Sequence, residues 1–135
     1  MLKAALQKSE VLFMSAARRR IWILLVNGDP TVQQLRALML RMQGYRVDTA
    51  SSLEDARAKM AGRSYKLVIV DVGHFADDGL DFCEEIKNRD PHQKVLIHAE
   101  DRVFPVKHDC PDDVVPKQEG PLTFVKAVER LLQVA

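Results

Sequence analysis

Chemically active side chains follow several apolar runs of this sequence. The clearest run is Leu67–Val70, which ends at Asp71, and other runs end at Asn27-Gly28-Asp29, at His98 and just before Lys117. A carboxylate can accept hydrogen bonds, bind a cation or attack an electrophile, and a lysine can pair with it. If the runs are parallel strands, their carboxyl ends share the edge at which open α/β sheets place ligands and chemistry. The competing interpretation of Asp71 is a carboxylate that only satisfies loop amides.

The elements that would hold these residues alternate along the chain. Apolar or alternating runs predict strands at five places: Ile21–Val26, Arg46–Ala50, Leu67–Val70, Val95–Ile97 and Val114–Val115. Helical spacing of apolar residues separates most of these runs. Prolines and the lack of a periodic stripe argue against a full helix in Arg102–Pro111. The alternation predicts an α/β fold with a doubly wound, five-stranded parallel sheet.

Two loops carry signals for the start of a helix. Asp29 is placed as an N-cap with Pro30 at the first helical position, and Asp78 is placed to cap a helix that opens at Gly79. In the first of these helices, Met39 and Met42 belong to a series of apolar residues at helical spacing, and we expect both to be core residues.

Composition limits the class of protein. The chain has 135 residues, of which 47% are hydrophobic, and this favours one domain with a real core. Twenty basic and nineteen acidic side chains leave a net charge of +1, which argues against general binding to nucleic acid or to an anionic membrane. No apolar run approaches the roughly 20 residues that span a bilayer. Cys83 and Cys110 have no metal-ligand spacing, so we expect reduced thiols and a cytoplasmic protein.

The first residues differ from the rest. Residues 1–18 contain good helix formers and scattered apolar side chains, so they predict a helical extension, and residues 19–135 form the domain. The extension could pack on a partner as an amphipathic helix. A loose terminal tail is the competing interpretation.

The residues at the predicted sheet edge resemble the receiver domain of bacterial two-component response regulators, from Arg19 to about Leu132. In VDVGHFADDGL, Asp71 precedes Asp78-Gly79-Leu80 at the interval of the family's phosphoacceptor segment, and Lys117 stands where the family keeps a lysine after its last strand. The resemblance implies a flavodoxin-like fold with strand order 2-1-3-4-5. It also implies that Asp71 takes a phosphoryl group from a histidine kinase or a small phosphodonor.

Several positions depart from the family pattern. The two acids that help to bind Mg²⁺ after the first strand correspond to Asn27 and Gly28, so Mg²⁺ binding should be weak or absent. Asp71 is then the main metal-ligand candidate. Asp29 is either a displaced ligand or only a helix N-cap. His98 takes the place of the family's hydroxyl residue, as a substitute hydrogen-bond donor or as a simple surface histidine. The family's fourth helix is expected to be shortened or lost.

The sequence therefore predicts an atypical, stand-alone receiver domain and not an enzyme. It would signal through a protein partner, either a histidine kinase or a downstream effector, with phosphorylation of Asp71 impaired or absent. The alternative within this fold is a working phosphoacceptor, in which Lys117 stabilises phosphoryl charge. Lys117 could instead only pair with a semi-buried Asp71. A homodimer is left open.

Two other classes are less compatible with the sequence. A small flavodoxin-like enzyme or nucleotide-binding protein would need a phosphate-cradling loop, and neither GxGxxG nor a P-loop pattern is present. A DNA-binding regulator would need a helix-turn-helix, for which no room remains after the last helix. We therefore expect neither a nucleic-acid partner nor a membrane partner.

Overall fold

The computed structural model describes residues 16–71, 76–100 and 110–133. Five parallel strands form one sheet in the order β2-β1-β3-β4-β5. The strands are β1 (Trp22–Val26), β2 (Arg46–Ala50), β3 (Leu67–Asp71), β4 (Lys94–Ala99) and β5 (Asp113–Pro116). The helices are α1 (Pro30–Met42), α2 (Leu53–Gly62), α3 (Ala76–Arg89) and α4 (Gly120–Leu131), with a 3-10 turn at Lys117–Glu119. The flavodoxin-like doubly wound sheet is confirmed.

The central strands β1, β3 and β4 are apolar on both sides because helices cover both faces of the sheet. Successive side chains of a strand point to opposite faces, so each strand supplies two separate cores. In β1, Ile23 and Leu25 join one core with Leu40 of α1 and Phe124 of α4, and all four are at most 1% exposed. Leu24 and Val26 belong to the other core, which includes Phe82 of α3. The continuous apolar runs of the sequence follow from this two-sided burial.

Some details of the helices differ from the expectations. Helix α3 begins at Ala76, so Asp78 lies inside the helix and its predicted N-cap role is wrong. The core face of α1 consists of Gln33, Ala37 and Leu40, and Met42 is 76% exposed, so its assignment to the core is also wrong. Gln33 can face the sheet because its side-chain amide is hydrogen-bonded. The spacing of apolar residues does not reveal that a polar residue is buried.

Cys83 and Cys110 form a disulfide, with Cα atoms 6.0 Å apart. Both residues are fully buried in the core that includes Phe82 of α3, although they are 27 residues apart in sequence. The expectation of two reduced thiols is therefore wrong for this structure, because sequence spacing cannot show that α3 and the approach to β5 bring the two side chains together.

Other expectations concern residues at the margins of the description. Residues 16–18 are helical, whereas the rest of the predicted extension lies outside the described residues. The shortened or lost fourth helix would fall in residues 101–109, which are also outside them. Within the described part of the chain, no helix is long and apolar enough to cross a membrane.

Candidate functional site

The strand ends bring the predicted site residues together at the carboxyl edge of the sheet. Asn27 directly follows β1, Asp71 ends β3, and Lys117 directly follows β5. His98 of β4 lies in register with Asp71. Asn27, Asp71 and His98 are 2%, 6% and 3% exposed, so the site is largely removed from water. Parallel pairing of β1, β3, β4 and β5 thus produces the cluster that the sequence predicts.

Asp71 has a cation on one carboxylate oxygen and an amide on the other. Lys117 Nζ lies 2.7 Å from Asp71 Oδ1, so the predicted ion pair is present. Asn27 Nδ2 donates to Asp71 Oδ2 over 3.1 Å. His98 Nδ1 lies 4.0 Å from the same Oδ2. A buried carboxylate needs such partners, since removing its charge from water without them costs on the order of several kcal/mol.

Asn27 is fixed by the loop between β1 and α1. Its Oδ1 accepts a hydrogen bond from the backbone N–H of Asp29 over 2.8 Å, and this contact directs the amide nitrogen towards Asp71. Gln33 donates through Nε2 to the carbonyls of Asn27 and Ala50, at 3.1 and 2.9 Å. The sequence indicated only that Asn27 lacks an acid's charge. The structure adds that Asn27 is a hydrogen-bond donor to Asp71.

Asp29 caps α1. Its Oδ1 accepts from the backbone N–H of Thr31 and of Val32 at 3.0 and 3.3 Å, which confirms the N-cap expectation. Its role as a metal ligand stays a prediction. Among the described residues, no group of three or more acidic, histidine or cysteine side chains could hold a metal ion. In the described structure an ammonium contacts Asp71 Oδ1 and an amide donates to Oδ2, so both carboxylate oxygens have protein partners.

His98 is buried between a cation and an aromatic ring, so the surface-histidine alternative is wrong. Arg36 Nη1 contacts His98 Nδ1 and lies 3.1 Å from Nε2. The Phe124 ring lies 5.3 Å from the imidazole, and the Arg36 guanidinium lies 5.5 Å from the Phe124 ring. Burial, reinforced by the charges of Arg36 and Lys117 and opposed by Asp71, lowers the pKa of His98 to about 4. His98 is therefore neutral at pH 7.

Arg36 is the member of this cluster that the sequence analysis missed. It stands three residues after the buried Gln33 and one before the buried Ala37, and this spacing was the available signal that it faces inwards. Its Nε is buried and has no hydrogen-bond partner among the residues that the structure describes. Burial lowers the pKa of Arg36, and the charge of Asp71 partly offsets that effect. The edge thus carries two cations, Arg36 and Lys117, around Asp71.

We expect His98 to make the protein less stable in mild acid. Its pKa is about 4 in the folded chain, against an ordinary value of 6.5 for histidine, so the unfolded chain takes up a proton first. The free energy of unfolding should fall as the pH decreases from 6.5 to 4, by about 3 kcal/mol for this group. Urea unfolding at several pH values would measure the slope.

His98→Gln should flatten this slope, and His92→Gln is the matched control because His92 is exposed. Carboxylates titrate in the same range, so the difference between each variant and the wild type is the quantity to compare. An unchanged slope in His98→Gln would contradict the assignment of the effect to His98.

The chain is similar in sequence to known bacterial proteins over most of its length. The family model for the response regulator receiver domain matches residues 23–129. The transcriptional regulatory protein AruR of Pseudomonas aeruginosa is 30% identical over 120 residues, which cover 82% of this chain and 49% of AruR. The transcriptional regulatory protein ResD of Bacillus subtilis is 26% identical over 115 residues, which cover 82% of this chain and 48% of ResD. The chain spans about half or less of the length of the curated relatives it matches.

Solved structures show the same arrangement of strands. The response regulator TrrA of Thermotoga maritima, in complex with Mg²⁺ and BeF, has a TM-score of 0.71 and 26% identity, and the match covers 83% of this chain and 99% of TrrA. TrrA in complex with the histidine kinase ThkA gives a TM-score of 0.75 at 26% identity, covering 84% of this chain and 99% of TrrA.

Proposed function

This chain belongs to the response regulator receiver domain family, and from that premise we propose that it signals through protein–protein contacts, with phosphorylation of Asp71 impaired or absent. The single observation that carries the proposal is the hydrogen bond from Asn27 Nδ2 to Asp71 Oδ2, over 3.1 Å. An amide donor at this point satisfies the carboxylate in the absence of a metal ion. Asn27 also stands at the position of one of the acids that the family uses to bind a metal ion.

The chemistry of phosphoryl transfer supports the proposal. A carboxylate that attacks a phosphoryl group is repelled by the negative charge of that group, so a cation must neutralise the approach. Asn27 and Gly28 occupy the two positions where the family resemblance implies acids. We therefore propose that Mg²⁺ binding is weak or absent and that the acceptor reaction is slow for this reason.

The proposed partner is a protein. The complex of TrrA with ThkA concerns those two proteins, and by extension we propose a histidine kinase or a downstream effector as the partner of this chain. We propose a cytoplasmic location, no nucleic-acid or membrane partner and no catalytic turnover of its own. Because the chain spans about half or less of its curated relatives, these statements about the whole protein's role belong to the proposal.

A working phosphoacceptor is the second candidate, and Lys117 is the observation that favours it. Its ammonium lies 2.7 Å from Asp71 Oδ1, where it could stabilise charge on a transferred phosphoryl group. In this alternative Asp71 is the nucleophile, and His98 and Arg36 are the neighbouring donors.

The two candidates differ in the mass of the protein after incubation with acetyl phosphate and Mg²⁺. We expect no gain in intact mass. If Mg²⁺ binds weakly or not at all, its charge does not neutralise the phosphoryl group as Asp71 attacks. The control is Asp71→Asn, together with circular dichroism to show that both proteins are folded. A gain of one phosphoryl group in the wild type alone would reject the first candidate in favour of the second.

A further inference from the structure

Arg36 of α1 places a second positive charge beside Asp71. Its Nη1 contacts His98 Nδ1, and that nitrogen lies 4.0 Å from Asp71 Oδ2. The charge of Asp71 raises the pKa of Arg36 against the opposing effect of burial, so the guanidinium lies within electrostatic reach of the carboxylate. An arginine side chain keeps its positive charge at neutral pH. Asp71 therefore has a permanent cation near it in addition to Lys117.

Buried neighbours hold the Arg36 guanidinium in place. Nη1 also lies 3.1 Å from His98 Nε2, and the guanidinium lies 5.5 Å from the centre of the Phe124 ring. His98 and Phe124 are only 3% and 1% exposed. Turning the guanidinium out into water would break its contacts with both rings. The charge of Arg36 is therefore fixed relative to Asp71.

Lys117 is held less firmly than Arg36. Its Nζ contacts Asp71 Oδ1, but it also lies 3.5 Å from Oε1 of Glu100, which is exposed. A lysine ammonium is a point charge on a flexible stem, so it can turn from one carboxylate to the other. A cation that enters the site can thus exchange places with the ammonium of Lys117, whereas the guanidinium of Arg36 stays where its neighbours hold it.

A fixed positive charge at this position disfavours metal ions. Coulomb repulsion is proportional to the product of the two charges, and it is stronger in a site removed from water. The same guanidinium therefore repels a divalent cation twice as strongly as a monovalent one. We propose that Arg36 is a specificity-determining residue of this site, whose fixed charge excludes divalent cations from Asp71.

This inference rests on the proposed function, in which Mg²⁺ binding is weak or absent, and it adds a second cause to the loss of acids at Asn27 and Gly28. The two causes make different predictions. If the missing acids were the whole explanation, restoring them would restore full metal affinity. If Arg36 also excludes metal ions, a chain with both acids restored still binds them weakly until the charge of Arg36 is removed.

Binding of Mn²⁺, which prefers the same oxygen ligands as Mg²⁺, tests the proposal. Electron paramagnetic resonance of the free ion measures its dissociation constant without a phosphodonor. The parent for the comparison is the full chain with Asn27→Asp and Gly28→Asp. In this parent, Arg36→Met removes the charge, keeps an unbranched side chain and adds no oxygen ligand. We expect it to tighten Mn²⁺ binding about tenfold or more.

Arg41→Met in the same parent is the matched control. It removes the same charge from the same helix, but Arg41 lies in the last turn of α1 and donates to the carbonyl of Val47 over 2.8 Å. We expect this control to change the dissociation constant less than about threefold, since exposed charges at a distance are screened. Circular dichroism shows whether each variant is folded, and Arg36→Leu provides the same comparison if Arg36→Met does not fold.

A trivalent ion separates the charge of Arg36 from its packing. Repulsion grows with ionic charge, so a tenfold effect of Arg36→Met on Mn²⁺ corresponds to about thirtyfold on Tb³⁺, measured by displacement of Mn²⁺. A change in packing would not scale in this way. Equal factors for the two ions would overturn the proposal.

The other outcomes also decide the matter. Tightening by less than threefold, equal tightening by Arg41→Met, or no Mn²⁺ binding even in the folded Arg36→Met variant would each overturn the proposal. Binding that appears only after Arg36→Met would support it. A wild type that gains a phosphoryl group from acetyl phosphate would reject the proposed function, and that result comes from a separate measurement on a different protein.

Discussion

Lys117→Ala should lower the free energy of unfolding at pH 7 by about 3 kcal/mol, which is typical of breaking a buried ion pair. Asp71 has a side chain that is 7% exposed, and Lys117 Nζ lies 2.7 Å from it. Removal of the ammonium takes away the positive charge in contact with Asp71 Oδ1, whereas the Asn27 amide and the more distant charge of Arg36 remain. Urea unfolding of the variant and of the wild type would measure the loss.

The double variant shows whether this loss comes from an uncompensated charge. In Lys117→Ala with Asp71→Asn no buried carboxylate remains, so we expect the double variant to be more stable than Lys117→Ala alone. Lys126→Ala removes an exposed lysine of α4 and should change stability by less than about 0.5 kcal/mol. Equal losses for Lys117→Ala and Lys126→Ala would contradict a stabilising role for the Asp71–Lys117 pair.

Two substitutions after β1 should create a response to Mg²⁺ that we do not expect of the wild type. Asn27→Asp with Gly28→Asp adds two carboxylates near Asp71, at the positions where the family has acids. Without metal, repulsion between the acids should lower the free energy of unfolding by about 3 kcal/mol. At Mg²⁺ about one hundred times above the dissociation constant, binding should restore about 3 kcal/mol.

Thermal unfolding in EDTA and in Mg²⁺ measures both effects, and intact mass after acetyl phosphate shows whether Asp71 becomes a better acceptor. Asn88→Asp places the same change on an exposed position of α3 and should show no response to Mg²⁺. If Mg²⁺ stabilises the wild type as strongly as the double variant, then the explanation of impaired phosphorylation by the loss of these two acids is wrong.

The number and parallel type of the strands could be predicted from the sequence because burial on both faces of a parallel sheet produces continuous apolar runs. The order of the strands was implied by the family resemblance. The run that ends at Asp71 is β3, and all five of its residues are buried. Asp29 with Pro30 identified the start of α1, since a cap is a local interaction between neighbouring residues. Parallel topology then placed Asp71, His98 and Lys117 on one edge.

Sequence patterns did not predict contacts between distant parts of the chain. The burial of His98 depends on Arg36 of α1 and Phe124 of α4, which lie 62 residues before it and 26 residues after it in the sequence. The Cys83–Cys110 disulfide depends in the same way on how α3 packs. Local spacing determined which elements form and, for α1, where the helix begins. Only the packing of helices on the sheet decided which side chains surround Asp71, because desolvation and charge pairing act through space and not along the chain.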